Sequence, residues 1–171
     1  FEVGDDEIRR ATVVCMDLHW ALGLPGLEAL TRHVRALAPR VPIVVGGISA
    51  AHLTGELLET LPIDYVIRGD AEVSFTGLVA ALRAGRAPPP LPNVHRRGAP
   101  APDARRMTDT EFDSTDSVTL DWFPTFARVT DLDASAFPPG RTICVARGCP
   151  LRCPTCYGSH ASTFGAGHLW R

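Results

Sequence analysis

The first 86 residues predict an α/β fold with a parallel sheet, a linker follows, and a second β/α unit starts near the end of the chain. Three observations predict this. Short β-branched apolar runs alternate with stretches of helical periodicity. Each run ends in a polar or glycine-bearing segment. A last apolar run, Arg141–Ala146, leads straight into three crowded cysteines. Strand–helix–strand order builds right-handed βαβ units, and these require parallel strands.

The elements follow in order. Ala11–Leu18 (ATVVCMDL) is a buried-strand run. Gly26–Ala38 is helical, with Leu27, Leu30, Val34 and Leu37 expected on one inward face, and Pro39 ends it. Pro42–Val45 is a second strand, closed by Gly46 and Gly47. His52–Thr60 is a short helix with Leu53, Leu57 and Leu58 inward. Ile63–Ile67 is a third strand, closed by Arg68-Gly69-Asp70. Glu72–Ala84 is a third helix, with Phe75, Leu78, Val79 and Leu82 inward.

Ligands of open parallel sheets bind outside the carboxyl ends of the strands. Three segments should therefore converge on one edge. They are Asp17, Leu18, His19 and Trp20; Gly46, Gly47, Ile48 and Ser49; and Gly69, Asp70 and Glu72. Glycine lets a backbone approach a flat ligand closely, but it also simply makes tight βα turns. Both roles remain open for these glycines.

Residues 87–140 change character. Pro88, Pro89, Pro90 and Pro92 stiffen an extended start, and a threonine-rich acidic stretch follows. This reads as a linker, with a short hairpin expected around Arg97-Gly98. Trp122, Phe123 and Phe126 read as ordinary packing under a long loop.

The 171 residues are 45% hydrophobic and 21% charged, with a net charge of −2. That balance is globular and offers no electrostatic case for nucleic acid or an anionic membrane. The apolar runs are too short to span a bilayer, and no signal peptide is expected. Phe1 and the short tail after the cysteines suggest a piece of a longer polypeptide, expected in the cytoplasm. Cys15 and Cys144 sit singly in apolar runs and read as core residues.

Cys149, Cys153 and Cys156 form C-x₃-C-x₂-C in the run Arg147-Gly148-Cys149-Pro150-Leu151-Arg152-Cys153-Pro154-Thr155-Cys156-Tyr157. A disulfide framework would spread its cysteines more evenly. Iron–sulfur clusters are held by thiolates, usually four. Three in one loop leave one iron open to a ligand, as an open position marks a catalytic zinc. Zinc on the same cysteines, completed by His160 or His168, is the competing assignment.

The cysteine loop, following a strand in the context RGCPLRCPTC, resembles the radical S-adenosylmethionine superfamily. The resemblance implies a 4Fe–4S cluster on Cys149, Cys153 and Cys156 that binds S-adenosylmethionine and cleaves it to a 5′-deoxyadenosyl radical. The aromatic residue often found just before the third cysteine is replaced by Thr155, and Tyr157 comes one after it. Tyr157 is the corresponding candidate contact to the cofactor. Val13–Trp20, Pro42–Ala50 and Ile63–Glu72 resemble the last strands and loops of the cobalamin-binding domain that precedes the radical barrel in one subfamily.

The fold this implies has three parts. Residues 1–86 are the C-terminal part of a flavodoxin-like (Rossmann-like) cobalamin-binding domain. Residues 87–140 are the linker, and residues 141–171 begin a radical SAM (β/α) barrel. The implied cobalamin contacts are the strand-end residues named above. His19 does not lie in the segment that carries a lower-ligand histidine in that subfamily. The implied activity is methyl transfer to an unactivated carbon. Its alternatives are radical cyclisation, rearrangement or oxidation with the same cofactors, and a non-catalytic iron–sulfur or zinc module. The implied partners are a small-molecule or peptide substrate and an electron donor such as a flavodoxin or ferredoxin.

Overall fold

The computed structural model describes residues 3–108, 110 and 111. The expected strand Arg141–Ala146, Cys144, the cysteine loop and the later part of the linker lie outside the described residues.

The chain opens with α1 (Asp5–Arg10), then β1 (Val14–Asp17), a 3₁₀ turn (Ala21–Gly23) and α2 (Leu24–Leu37). There follow β2 (Ile43–Gly46), α3 (Ile48–His52), α4 (Thr54–Thr60), β3 (Tyr65–Ile67), α5 (Glu72–Arg83) and β4 (Val94–Arg96). The sheet order is β1-β2-β3-β4. The first three strands are parallel, as expected: Val14 stands beside Ile43, Asp17 beside Gly46, and Val45 beside Val66. β2 is central and its Ile43, Val44 and Val45 are all buried, because helices cover both faces of the sheet there.

One face packs Leu27, Val34, Ile43, Val45, Leu57 and Val66 into the larger core. The other packs Val44, Ile67 and Leu78, with Phe75 and Leu82 of α5 against them. On α2 Leu27 and Val34 are buried and Leu37 packs partly buried against the same core, as expected, whereas Leu30 is 55% exposed and Thr31 is buried. The buried Thr31 is tolerated because its hydroxyl donates to the Glu28 carbonyl at 3.0 Å.

The helix expected over His52–Thr60 is instead a pair. It begins earlier, at Ile48, and breaks at Leu53 (φ −99°, ψ 19°). There the Thr54 hydroxyl donates to the Ala50 and Ala51 carbonyls at 3.0 and 3.1 Å, competing with the helical ladder. Cys15, expected in the core, is exposed, because β1 is an edge strand among the described strands and the second-face cover from α5 lies over β2 and β3.

The sheet does not close at residue 86. β4 lies in the stretch expected as linker and pairs antiparallel with β3: Ile67 with Val94, Val66 with His95, and Tyr65 with Arg96. The short hairpin expected around Arg97-Gly98 is a turn, with Gly98 at φ 69°, and no second strand follows it among the described residues, because β4 pairs with β3 instead. The chain then doubles back, so that Asn93 donates its N–H to the Asp103 carbonyl at 3.2 Å.

At the opposite end of the sheet from the glycine loops, Arg35 of α2 ties two loops together. Its guanidinium donates to the carbonyls of Pro39, Val41 and Pro62 and to the Asp64 carboxylate. Among the described residues no helix is long and apolar enough to cross a membrane.

Candidate functional site

The three strand ends place their loops along one edge, as parallel strands must. At the end of β1, Leu18 donates its N–H to the Gly46 carbonyl at 2.8 Å. Its own carbonyl accepts from Ser49 at 3.0 Å and from Ala50 at 3.3 Å. The Leu18 side chain is buried in the core, so only its backbone borders the edge. Ser49 is also buried, and its hydroxyl donates to the His19 carbonyl at 3.0 Å. Ser49 therefore clamps the β1 loop onto the β2 loop. Beyond the clamp, His19 and Trp20 stand with ring centroids 5.0 Å apart, edge to face. Trp20 is 72% exposed, and Leu22, just after it, 95%.

The two glycines that close β2 do different things. Gly47 has φ 104° and ψ 167°, a backbone region that is essentially glycine's alone. A β-carbon there would collide with the Asp17 carboxylate and come within 2.7 Å of the Leu18 carbonyl. Gly47 is thus required by the close approach of the chain to itself. Gly46 has nothing within 4 Å of where its β-carbon would lie. It leaves open space at the end of β2, an open floor, and Ile48, which starts α3, is half-buried. Backbone free of side chains at this edge is compatible with the close approach of a flat macrocycle.

At the end of β3, Gly69 adopts φ 96° and Glu72 opens α5, where a carboxylate favours the helix dipole. Asp70 is engaged by the protein itself. Its carboxylate accepts from the Met107 N–H at 2.9 Å, and its carbonyl accepts from Asn93 Nδ2 at 2.9 Å. Asn93, buried and left-handed at φ 64°, also grips Arg105, accepting from its N–H at 2.8 Å and donating to its carbonyl. Sequence reasoning missed this clamp. Its one local signal is the asparagine after Pro92, since asparagine tolerates the left-handed conformation a turn demands. After it, Thr108 and Glu111 bond reciprocally in a capping arrangement. That bond to Thr108 and the Arg105 guanidinium hold the Glu111 carboxyl below its usual range.

The edge therefore gathers Asp17, His19, Trp20, Gly46, Ile48 and Gly69 from separate loops. Gly47, Ser49 and Asp70 shape it from behind, and Glu72 begins the helix beside it. Cys149, Cys153, Cys156 and Tyr157 lie outside the described residues. A groove of about 400 Å³ lies elsewhere, beside β4, where Pro88, Pro90, Pro100 and Pro102 face Tyr65 and Arg96.

No protein-family model matches the chain, and no curated protein matches it. Among solved structures it is similar to the radical S-adenosylmethionine methyltransferase TsrM from Kitasatospora setae, solved with cobalamin and a [4Fe-4S] cluster bound. Identity is 18%, the match covers 96% of this chain and 34% of that one, and the TM-score is 0.62. A second TsrM structure, with tryptophan substrate and the analogue aza-SAM bound, matches 53% of this chain and 19% of that one at 20% identity and a TM-score of 0.47. The chain spans about a third of the length of TsrM, 34%. At this identity the likeness is one of fold: the chain is a distant structural relative of part of a radical S-adenosylmethionine methyltransferase.

Proposed function

We propose that this chain is part of a cobalamin-dependent radical S-adenosylmethionine enzyme that methylates an unactivated carbon. The observation that carries the reading is the pairing, in one chain, of a glycine-floored strand-end edge with the three-cysteine loop. The fold shared with TsrM, solved with both cobalamin and a [4Fe-4S] cluster, supports it.

When bound, the cluster supplies an electron for cleavage of S-adenosylmethionine, and the cobalamin supplies a methyl group. In this reading the thiolates of Cys149, Cys153 and Cys156 hold three irons and leave the fourth for S-adenosylmethionine, with Tyr157 beside it. Gly46, with no side chain, would leave room for the macrocycle. His19 and Trp20 wall one side, with Asp17 at the base of their loop, and Gly69 lets the β3 loop approach from the other. Overall, two S-adenosylmethionine and two electrons from the donor convert R–H to R–CH₃. The products are one 5′-deoxyadenosine, one methionine and one S-adenosylhomocysteine, and the substrate hydrogen ends in the deoxyadenosine.

The test is anaerobic reconstitution of the full-length protein, followed by mass spectrometry after addition of reductant and methyl-labelled S-adenosylmethionine. The expected result is 5′-deoxyadenosine together with label in the bound cobalamin. Cys153→Ala is expected to lose the cluster and the deoxyadenosine, because three ligands leave no spare. Stoichiometric zinc without iron or sulfide ends the reading. Deoxyadenosine without S-adenosylhomocysteine or label transfer moves it to cyclisation, rearrangement or oxidation.

A further inference from the structure

The groove beside β4 is built by the chain returning upon itself. Pro88 and Pro90 precede the strand, and Pro100 and Pro102 follow the turn at Arg97-Gly98, so proline rings from two passes of the chain line it. Proline has a fixed φ and no N–H, so these segments are preorganised and present apolar surface without donors. The donors come from the sheet. Tyr65 and Arg96 are register partners on β3 and β4, so their side chains leave the same face as neighbours. Both line the groove, whose volume of about 400 Å³ is that of a small-molecule pocket.

The Arg96 guanidinium makes no hydrogen bond or ion pair among the described residues, whereas those of Arg35, Arg97 and Arg105 all do. Burial first, and Asp64 second, push the Tyr65 pKa above its ordinary value, against the pull of Arg96. Its hydroxyl is therefore a donor at neutral pH. From Arg83 to Arg106 the chain carries six arginines and one carboxylate, Asp103, although its net charge is −2. Asp103 also lines the groove, and its carbonyl meets the Asn93 N–H, at the other end of β4 from Arg96. Three residues of strand separate those ends, about 10 Å. One end is thus built for an anion, and the other repels a second one.

We propose that this groove binds a small aromatic carboxylate, with the carboxylate on Arg96 and Tyr65 and the ring against the prolines. A carboxylate matches the planar guanidinium through two parallel N–H donors and keeps a lone pair for the Tyr65 hydroxyl. A flat ring suits walls that carry no donors, and their fixed backbone loses little entropy on binding. Asp103 disfavours a second carboxylate at the far end. Tyr65 stands at the beginning of β3, whereas the edge assigned to cobalamin lies at the carboxyl ends of the strands. The ligand is therefore independent of the cofactor and of the function proposed above.

The test titrates full-length protein with naphthoate, followed by ligand fluorescence, beside its neutral amide, naphthamide, and a naphthalene dicarboxylate. Saturable naphthoate binding is expected with Kd of about 1 mM or tighter, the worth of about a dozen ligand atoms. Hydrogen exchange over residues 94–103 should slow with it. The amide should bind about ten-fold more weakly and the dicarboxylate about 2–10-fold. Arg96→Gln should weaken naphthoate about ten-fold and Tyr65→Phe about 2–10-fold, while Arg9→Gln on α1 changes nothing. The Arg96 side chain is exposed, so Arg96→Gln keeps the fold and carries the test if Tyr65→Phe does not fold. Equal affinity for either analogue, an unweakened Arg96→Gln, or no saturation by about 10 mM overturns the proposal. So does competition by cobalamin, which would put the ligand on the strand-end edge.

Discussion

The two adjacent glycines at the end of β2 separate folding from binding. Placing one methyl group at Gly47 forces a side chain into φ 104°, ψ 167°, a region costing of the order of 1–3 kcal/mol for other residues. It also drives that methyl into the Asp17 carboxylate and to 2.7 Å from the Leu18 carbonyl. Leu18 is held from both sides, by Gly46 and by Ser49 and Ala50, so its backbone cannot yield cheaply. Overpacking of this kind adds about 1–3 kcal/mol. Gly47→Ala should therefore destabilise the domain by about 2–6 kcal/mol, lowering Tm on the order of 10 °C.

The same methyl at Gly46 meets nothing within 4 Å. Gly46→Ala should keep Tm within about 2 °C, as expected when ΔΔG is below ~0.5 kcal/mol. It should nonetheless weaken cobalamin binding, because the methyl stands on the floor. The assay is thermal unfolding of cofactor-free full-length protein beside a cobalamin titration of each variant. An unshifted Tm in Gly47→Ala refutes the account of the close approach. Unaltered cobalamin affinity in a folded Gly46→Ala refutes the floor.

Three further outcomes are expected. Arg35→Ala removes donors to three carbonyls and to Asp64, and should cost about 2–3 kcal/mol in denaturant unfolding with cofactor contents unchanged. Arg35→Lys should recover only part of this, since an ammonium cannot reproduce the planar fork, and full recovery would contradict the assigned bonding. Trp20→Ala should leave Tm unaltered because the ring is 72% exposed, yet weaken cobalamin binding about 2–10-fold, the worth of an aromatic contact. Equal affinity would remove Trp20 from the site. His95, on β4, has its pKa lowered below the ordinary 6.5, first by burial and then by Arg68. Its contribution is complete above pH 6.5 and declines as pH falls below it, because the unfolded imidazole takes up a proton that the folded one resists. His95→Gln should flatten stability against pH in that window, and an unchanged slope would assign the dependence elsewhere.

The sequence by itself determined the parallel βαβ core and the edge on which its loops converge. Period and length sufficed for this: Ile43, Val44 and Val45 form an uninterrupted apolar run, as a strand covered on both faces requires. Glycines after strands marked the loops correctly, but spacing could not separate their roles. Gly46 and Gly47 are neighbours of identical chemistry. Only the approach of Leu18, from a strand some thirty residues away in the register Asp17 to Gly46, makes one a packing requirement and leaves the other open. Composition likewise placed residues after 86 in a linker, because proline-rich stretches carry no periodic signal. Val94–Arg96 is three residues long and becomes a strand only because β3 offers it a free edge. Asp70 read as a ligand-edge residue because local sequence shows a carboxylate after a strand and nothing of Met107, whose N–H arrives from 37 positions away. Local periodicity reports what each segment buries; the partner of a single polar group depends on contacts between distant segments, and those exist only once the chain has folded.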